Sequence, residues 1–219
     1  MKAIPLSIPF LFLLLILSNN SHPQQSNLSQ KVNYISQFIA SESFINLKKT
    51  NNDLSLVDSI YSRAVNINSQ DKSEALLALT FSSIPYKQIP ILIPLTGIKI
   101  YYPLTSAEDS IFKEKNKNLP KYFFYDSPSG DYGDKDKLAH FFGNAFISYS
   151  EDILDLSFLI GYFVEAFEED FILDSEFSLR DVDVNWYGEI FGSMLKQNKK
   201  ILPSNILLLR SFRYIIIIL

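Results

Sequence analysis

Between residues 136 and 192 the chain sets polar side chains into otherwise apolar helical stretches, in three blocks. The first is Asp136-Lys137-Leu138-Ala139-His140, the second Gly161-Tyr162-Phe163-Val164-Glu165, and the third Ser178-Leu179-Arg180-Asp181, which runs on to Asn185 and Gly188. In the first, Leu138, Phe141, Phe142, Ala145 and Tyr149 form one stripe at helical spacing. Asp136, His140 and Asn144 recur at four-residue steps on the opposite side, which would ordinarily face water. Gly143 and Ile147 share that side, however, so the helix is expected to be covered on both faces and His140 to be partly buried. Asp136, one turn earlier, would then fix the imidazole tautomer.

The second block lies in residues 153–173, the most apolar helical stretch, and Glu165 falls on the face of Phe158 and Gly161. Burial would raise its pKa unless a cation pairs with it. Glu168, Glu169 and Asp170 follow as an acidic cluster where the helix end is expected to reach water. The third block predicts a helix over residues 178–196, with Ser178 as its N-cap through the Ser-x-x-Asp pattern ending at Asp181. Asp181, Asn185 and Glu189 then share a face. Gly188 and Gly192, one turn apart, allow another helix to approach closely, with Asn185 beside the contact. Buried polar groups cost roughly 1–3 kcal/mol each when left without partners. The three helices are therefore expected to pack with their polar residues meeting, and His140, Glu165 and Asn185 to converge.

Ahead of these blocks, residues 32–47 and 54–81 have helical periodicity, the latter interrupted near residues 66–71, which predicts two antiparallel helices and a short turn. Ile84 to Pro103 changes character. Pro85, Pro90, Pro94 and Pro103 exclude a helix, and the β-branched and aromatic residues between them predict an extended segment, a short hairpin or a strap across the helices. Residues 107–117 predict one or two exposed helical turns. The aromatic run Tyr122-Phe123-Phe124-Tyr125 is expected to plug apolar surface. Asp126, Asp131, Asp134 and Asp136, with Gly130 and Gly133, read as a solvated turn; their spacing does not match an EF-hand loop. Residues 201–219 form an apolar tail split by Arg210 and Arg213, suited to a final strand, a helical lid or a membrane-lying segment.

The N-terminus adds an export expectation. Lys2 precedes an unbroken apolar run over residues 8–17, and Asn19-Asn20-Ser21-His22-Pro23 ends it. The run is shorter than the ~20 residues that span a bilayer, so residues 1–21 read as a signal peptide or an N-terminal anchor. Residues 22–31 follow as a polar linker. The predicted organisation continues with a helical hairpin and Pro-rich strap over residues 32–125, a helical core over 126–200 and the tail. The fold class is mainly α, a compact helical bundle with a short extended segment around residues 84–103.

Composition narrows the chemistry. The 219 residues are 47% hydrophobic and 20% charged, enough to fill one sizeable core. The net charge of −4 argues against a nucleic-acid partner. The absence of Cys excludes disulfides, thiolate metal sites and cysteine nucleophiles together. Only 7 Gly are present, and no Gly-x-Ser-x-Gly nucleophile motif occurs.

The order Asp-Lys-x-x-His, Gly-x-x-x-Glu, then Phe-Ser-x-x-Asp-x-x-x-Asn-x-x-Gly-x-x-x-Gly resembles the YfiM-type predicted periplasmic proteins and, more distantly, the VanZ-like membrane family. The matching positions are Asp136, Lys137, His140, Gly161, Glu165, Phe177, Ser178, Asp181, Asn185, Gly188 and Gly192, so the resemblance is confined to residues 136–192. It implies an all-helical, envelope-associated domain. The chain departs from those families in lacking their long transmembrane runs and a lipidated Cys.

Two functions follow as expectations. One is a non-catalytic exported protein of the cell envelope, acting at the membrane surface or on envelope proteins. Asp136, Asn144, Ser178, Asn185, Gly188 and Gly192 would form or flank its structural network. The other is a metal-assisted hydrolase of an envelope substrate. His140, Glu165 and Asp181 would hold a divalent metal, and His140, Glu165 and Glu169 would be the catalytic candidates. With a single imidazole, the metal would be of the oxygen-preferring kind, Mg²⁺, Mn²⁺ or Ca²⁺.

Overall fold

The computed structural model describes residues 27–92, 99–150 and 179–215. Labels below number the described elements only. The protein is mainly helical: α1 Asn27–Ala40, α2 Glu42–Thr50, α3 Asp53–Ile67, α4 Lys72–Ser83, α5 Asp109–Asn118, α6 Lys135–Ser150, α7 Leu179–Lys196, α8 Pro203–Leu207 and α9 Leu209–Ile215, with one antiparallel hairpin, β1 Gln88–Leu92 and β2 Lys99–Pro103. The predicted signal segment, the second polar block with Glu165 and Glu169, the N-cap candidate Ser178 and the last four residues lie outside the described residues.

Side-chain caps set the N-terminal boundaries. The sequence predicts one helix over residues 32–47, but the chain breaks at Ser41. Its hydroxyl donates to the Phe38 carbonyl at 2.7 Å and accepts the Phe44 amide at 3.3 Å, so one side chain ends α1 and starts α2. Asn52 and Asp71 cap α3 and α4 in the same manner, accepting the Ser55 and Glu74 amides at 2.9 and 3.1 Å. Between α3 and α4, Ser69 and Gln70 take positive φ, which makes the predicted turn tight. The helices α1, α3 and α4 then pack with α6 and α7 around one apolar cluster that reaches from Val32 to Leu207. Within it, Phe141, Tyr61 and Phe191 meet ring to ring at 5.3 Å.

The hairpin forms where four prolines exclude helix. Pro90 pairs with Tyr101 and Gln88 with Pro103, positions that a two-stranded ribbon with open edges tolerates. Ile89 is buried, whereas every residue of β2 is exposed.

Helix α5 departs from the exposed turn that its charges predict. Lys115 is buried, and its ammonium donates to the Ser82 and Ile84 carbonyls at 2.7 and 2.6 Å. It thereby caps the end of α4 from another helix. Asn116 and Asn118 bind the Pro85 and Ile39 carbonyls at 2.8 and 3.1 Å, which fastens α5 to α1 and to the start of the strap. Burial pushes the Lys115 ammonium down to about 7.

The Asp/Gly segment is also more than a solvated turn. Asp134 is 1% exposed and is ion-paired with Arg180 of α7. Asp126 pairs with both Arg180 and Arg210, and Arg210 lies over the Phe124 ring at 4.7 Å. Burial opposes ionisation of Asp126, but the two guanidiniums outweigh it and hold its carboxyl below the usual range. The aromatic run divides accordingly: Phe123 and Phe124 are buried, Tyr122 and Tyr125 exposed. As far as Ile215 the tail is largely helical and closes the bundle, with Ile206, Leu207 and Arg210 buried.

Among the described elements the most extensive contact is that of α6 with α7. A Cβ added at Gly188 would lie 2.3 Å from the Phe141 carbonyl oxygen, and one at Gly192 equally close to that of Ala145. Backbone occupies both places, so no side chain there can be accommodated without separating the helices. On the other face of α6, Gly143 lies against the Thr80 side chain of α4.

Two outcomes follow. Gly188→Ala and Gly192→Ala will each lower stability by about 1–3 kcal/mol in chemical denaturation, whereas Gly130→Ala, where a Cβ meets nothing within 4 Å, will change it by less than about 0.5 kcal/mol. The depressed Lys115 pKa means that the unfolded chain binds the extra proton between pH 7 and the ordinary lysine range. Relative to Lys115→Met, stability of the parent will therefore rise with pH across that window, by up to about 1.4 kcal/mol per unit, and show no such difference below it.

Candidate functional site

The polar residues of the first and third blocks meet along the seam between α6 and α7. Asp136, His140, Asn144 and Ser148 descend α6 at four-residue steps with Lys137 next to the first, and Asp181, Asn185, Glu189 and Ser193 descend α7 likewise. The α-helical repeat places each set on one face, and the glycine contact brings the two faces together.

At the lower end, Ser148 Oγ donates to the Glu189 carbonyl at 3.0 Å and meets Ser193 Oγ at 2.8 Å. In the middle, Asn144 Nδ2 donates to the His140 carbonyl and to Asn185 Oδ1, both at 2.9 Å. His140 Nδ1 is 3.2 Å from the same Asn185 oxygen. These bonds determine the tautomer. A backbone carbonyl accepts only, so the Asn144 atom facing it is the amide nitrogen. That nitrogen requires an acceptor on Asn185, and an oxygen on Asn185 requires a proton on His140 Nδ1. In the neutral ring the lone pair is then on Nε2. Asn185, rather than Asp136 as the spacing suggested, holds Nδ1.

At the upper end, the Lys137 ammonium is ion-paired with Asp136 from its own helix and Asp181 from α7. Asp181 is 7% exposed and Lys137 9%. Burial would lower the Lys137 pKa, but Asp136 and then Asp181 overcome it and raise it above the usual lysine value. For His140 the balance goes the other way: burial dominates and lowers its pKa, opposed by Asp181 and Asp136 and reinforced by the Lys137 charge. The ring is accordingly neutral at pH 7.

Asp136, His140 and Asp181 form a possible metal-binding triad among the described residues, each offering one ligand atom, with all three atoms within 4.8 Å of one another. One imidazole and two carboxylates make a mixed nitrogen–oxygen donor set. Of the ligands expected from sequence, His140 and Asp181 come together here. Asp136, expected only to orient His140, joins them, and Glu165, Glu169 and Ser178 lie outside the described residues. Asp181 does more than complete a helix cap, since it provides the interhelical partner of Lys137. Lys137, named in the first block, has no role assigned to it from sequence, although its place between Asp136 and His140 on a buried helix is the available signal.

The Arg180 and Arg210 cluster flanks this site and went unnoticed in the sequence, because its partners lie 27 to 84 positions apart. The fold and seam define a helical-bundle protein with a buried, mixed-charge site between two closely packed helices. No protein-family model, curated protein or solved structure matches the chain.

Asn185→Leu will leave the Asn144 amide and His140 Nδ1 without their shared acceptor. We expect a loss of about 1–3 kcal/mol in chemical denaturation, with the circular dichroism of a helical protein retained.

Proposed function

We propose that the chain is an exported, non-catalytic protein of the cell envelope, in which the α6–α7 seam is a structural network and the exposed hairpin is the contact surface. The observation that carries the non-catalytic reading is the sharing of partners across the seam: the Lys137 ammonium is shared by Asp136 and Asp181, and Asn185 is shared by His140 and Asn144. A group held in such a network gives register to the helices it joins. Export is supported by the apolar run over residues 8–17 after Lys2 and by the resemblance of residues 136–192 to YfiM-type periplasmic proteins. No described helix is long and apolar enough to cross a membrane. The exposed Ile100, Tyr101 and Tyr102 of β2, beside Lys99, suit the boundary between water and lipid headgroups, where tyrosine rings are favoured.

The second reading, a metal-assisted hydrolase, is favoured by the Asp136–His140–Asp181 donor set. It ranks second because an ammonium already bridges the two carboxylates.

Full-length protein carrying a C-terminal tag will fractionate with the envelope, and removal of residues 1–21 will retain it in the cytoplasm; a cytoplasmic full-length protein contradicts the reading. Tyr101→Ser combined with Tyr102→Ser will leave the unfolding midpoint within a degree or so of the parent, since both rings are exposed. The same variant will reduce co-sedimentation with anionic lipid vesicles several-fold.

A further inference from the structure

We propose that Asp136, His140 and Asp181 bind a divalent first-row transition ion of the Mn²⁺ type, in exchange for the Lys137 ammonium. The inference goes beyond the structural role assigned to the seam and does not depend on where the protein resides.

Charge is the first argument. Asp136 and Asp181 contribute two negative charges and Lys137 one positive charge, and burial disfavours the charged form of His140, so among the described residues these four side chains sum to one negative charge. A divalent ion in place of the ammonium brings the sum to zero. Buried charge without compensation is costly, so the exchange is favoured where the lysine can swing out, and its flexible four-carbon stem permits that.

Orientation is the second. The Asn144–Asn185 amide relay puts the proton of His140 on Nδ1, so an ion would meet the ring at Nε2. Metal-bound histidines characteristically donate their other ring N–H to a fixed oxygen, which is the part Asn185 Oδ1 plays. Unsatisfied oxygen is the third. Asp136 Oδ1 is buried without an accepted hydrogen bond among the described residues, and Asp181 Oδ1 is held by the Lys137 ammonium that the ion would replace.

The three ligand atoms lie within 4.8 Å of one another, and transition-metal bonds to oxygen and nitrogen are about 2.0–2.2 Å. Exchange would draw the three atoms inward. The imidazole favours a transition ion over Ca²⁺ or Mg²⁺, and the two carboxylates favour Mn²⁺ over softer ions.

The test is a titration of the full chain with Mn²⁺, followed by the electron paramagnetic resonance signal of the free ion. We expect one ion bound per chain, loss of that binding in Asp181→Asn and in His140→Gln, and affinity at least tenfold tighter in Lys137→Met. Mg²⁺ at equal concentration will not displace the ion. As Lys137→Met leaves two buried carboxylates without their cation, its unfolding midpoint is measured as well, and Mn²⁺ should raise it by more than it raises that of the parent. Free Mn²⁺ signal undiminished by the folded parent overturns the proposal. So does binding that survives both Asp181→Asn and His140→Gln, which would place the ion elsewhere on this acidic chain.

Discussion

The close approach of two backbones decides most of this structure. Gly188 and Gly192 present bare Cα atoms to the Phe141 and Ala145 carbonyls, and a single methyl group at either position would collide with them. Only at that separation do the short side chains of Asn144, Ser148, Asn185 and Ser193 reach across the seam. Asparagine and serine have little reach, so an ångström of helix separation would convert direct hydrogen bonds into gaps that water or nothing fills. The polar ladder and the glycine pair are one device: the glycines set the distance, and the ladder sets the register along it.

The rest of the bundle supports α6 from behind and α7 from its two ends. Helix α4 covers the opposite face of α6, with Gly143 against Thr80 and Ser73 hydrogen-bonded to Ser150 at 2.7 Å. Lys115 and Asn118 hold α4 and α1 in place through backbone carbonyls rather than through carboxylates. At the start of α7, Arg180 is fixed by Asp126 and Asp134, and Arg210 ties the C-terminal helices to the same aspartate. Past the end of α7, Ser204 of α8 binds Asp58 through both its amide and its hydroxyl, at 2.9 and 2.6 Å. Each support joins positions far apart in sequence, so the seam depends on helices drawn from both ends of the described residues.

What was legible in the sequence had a local cause. The four-residue steps of Asp136, His140 and Asn144, and of Asp181, Asn185 and Glu189, are helical geometry written directly into residue spacing. Gly188 and Gly192 announced a close contact, and their proximity to Asn185 placed an amide beside it. The prolines around residues 84–103 excluded helix, and the hairpin is one of the extended alternatives they left open. What was not legible depended on partners distant in the chain. Lys115 belongs to a charged stretch, and only the carbonyl ends of α4 show why it is buried. Asp126 and Asp134 resemble a loop until Arg180 and Arg210 arrive from helices that the local pattern does not connect to them. Ser41 breaks a helix that periodicity would continue, because its hydroxyl satisfies backbone groups on both sides of the break. The metal-ligating group shows the same division: His140 and Asp181 were foreseen as ligands, whereas Asp136 was assigned to the ring it accompanies.

The central claim is that side chains on α6 and α7 are energetically coupled across the seam, and a double-mutant cycle on Asn144 and Asn185 tests it most directly. Chemical denaturation of Asn144→Ala, Asn185→Ala and the double variant gives the coupling energy. The account predicts that the two losses are not additive, with a coupling of about 0.5–3 kcal/mol as found for residues in one hydrogen-bond network. Losses that add to within about 0.5 kcal/mol would contradict it, and would mean that the two helices are held by their glycine contact and apolar packing alone.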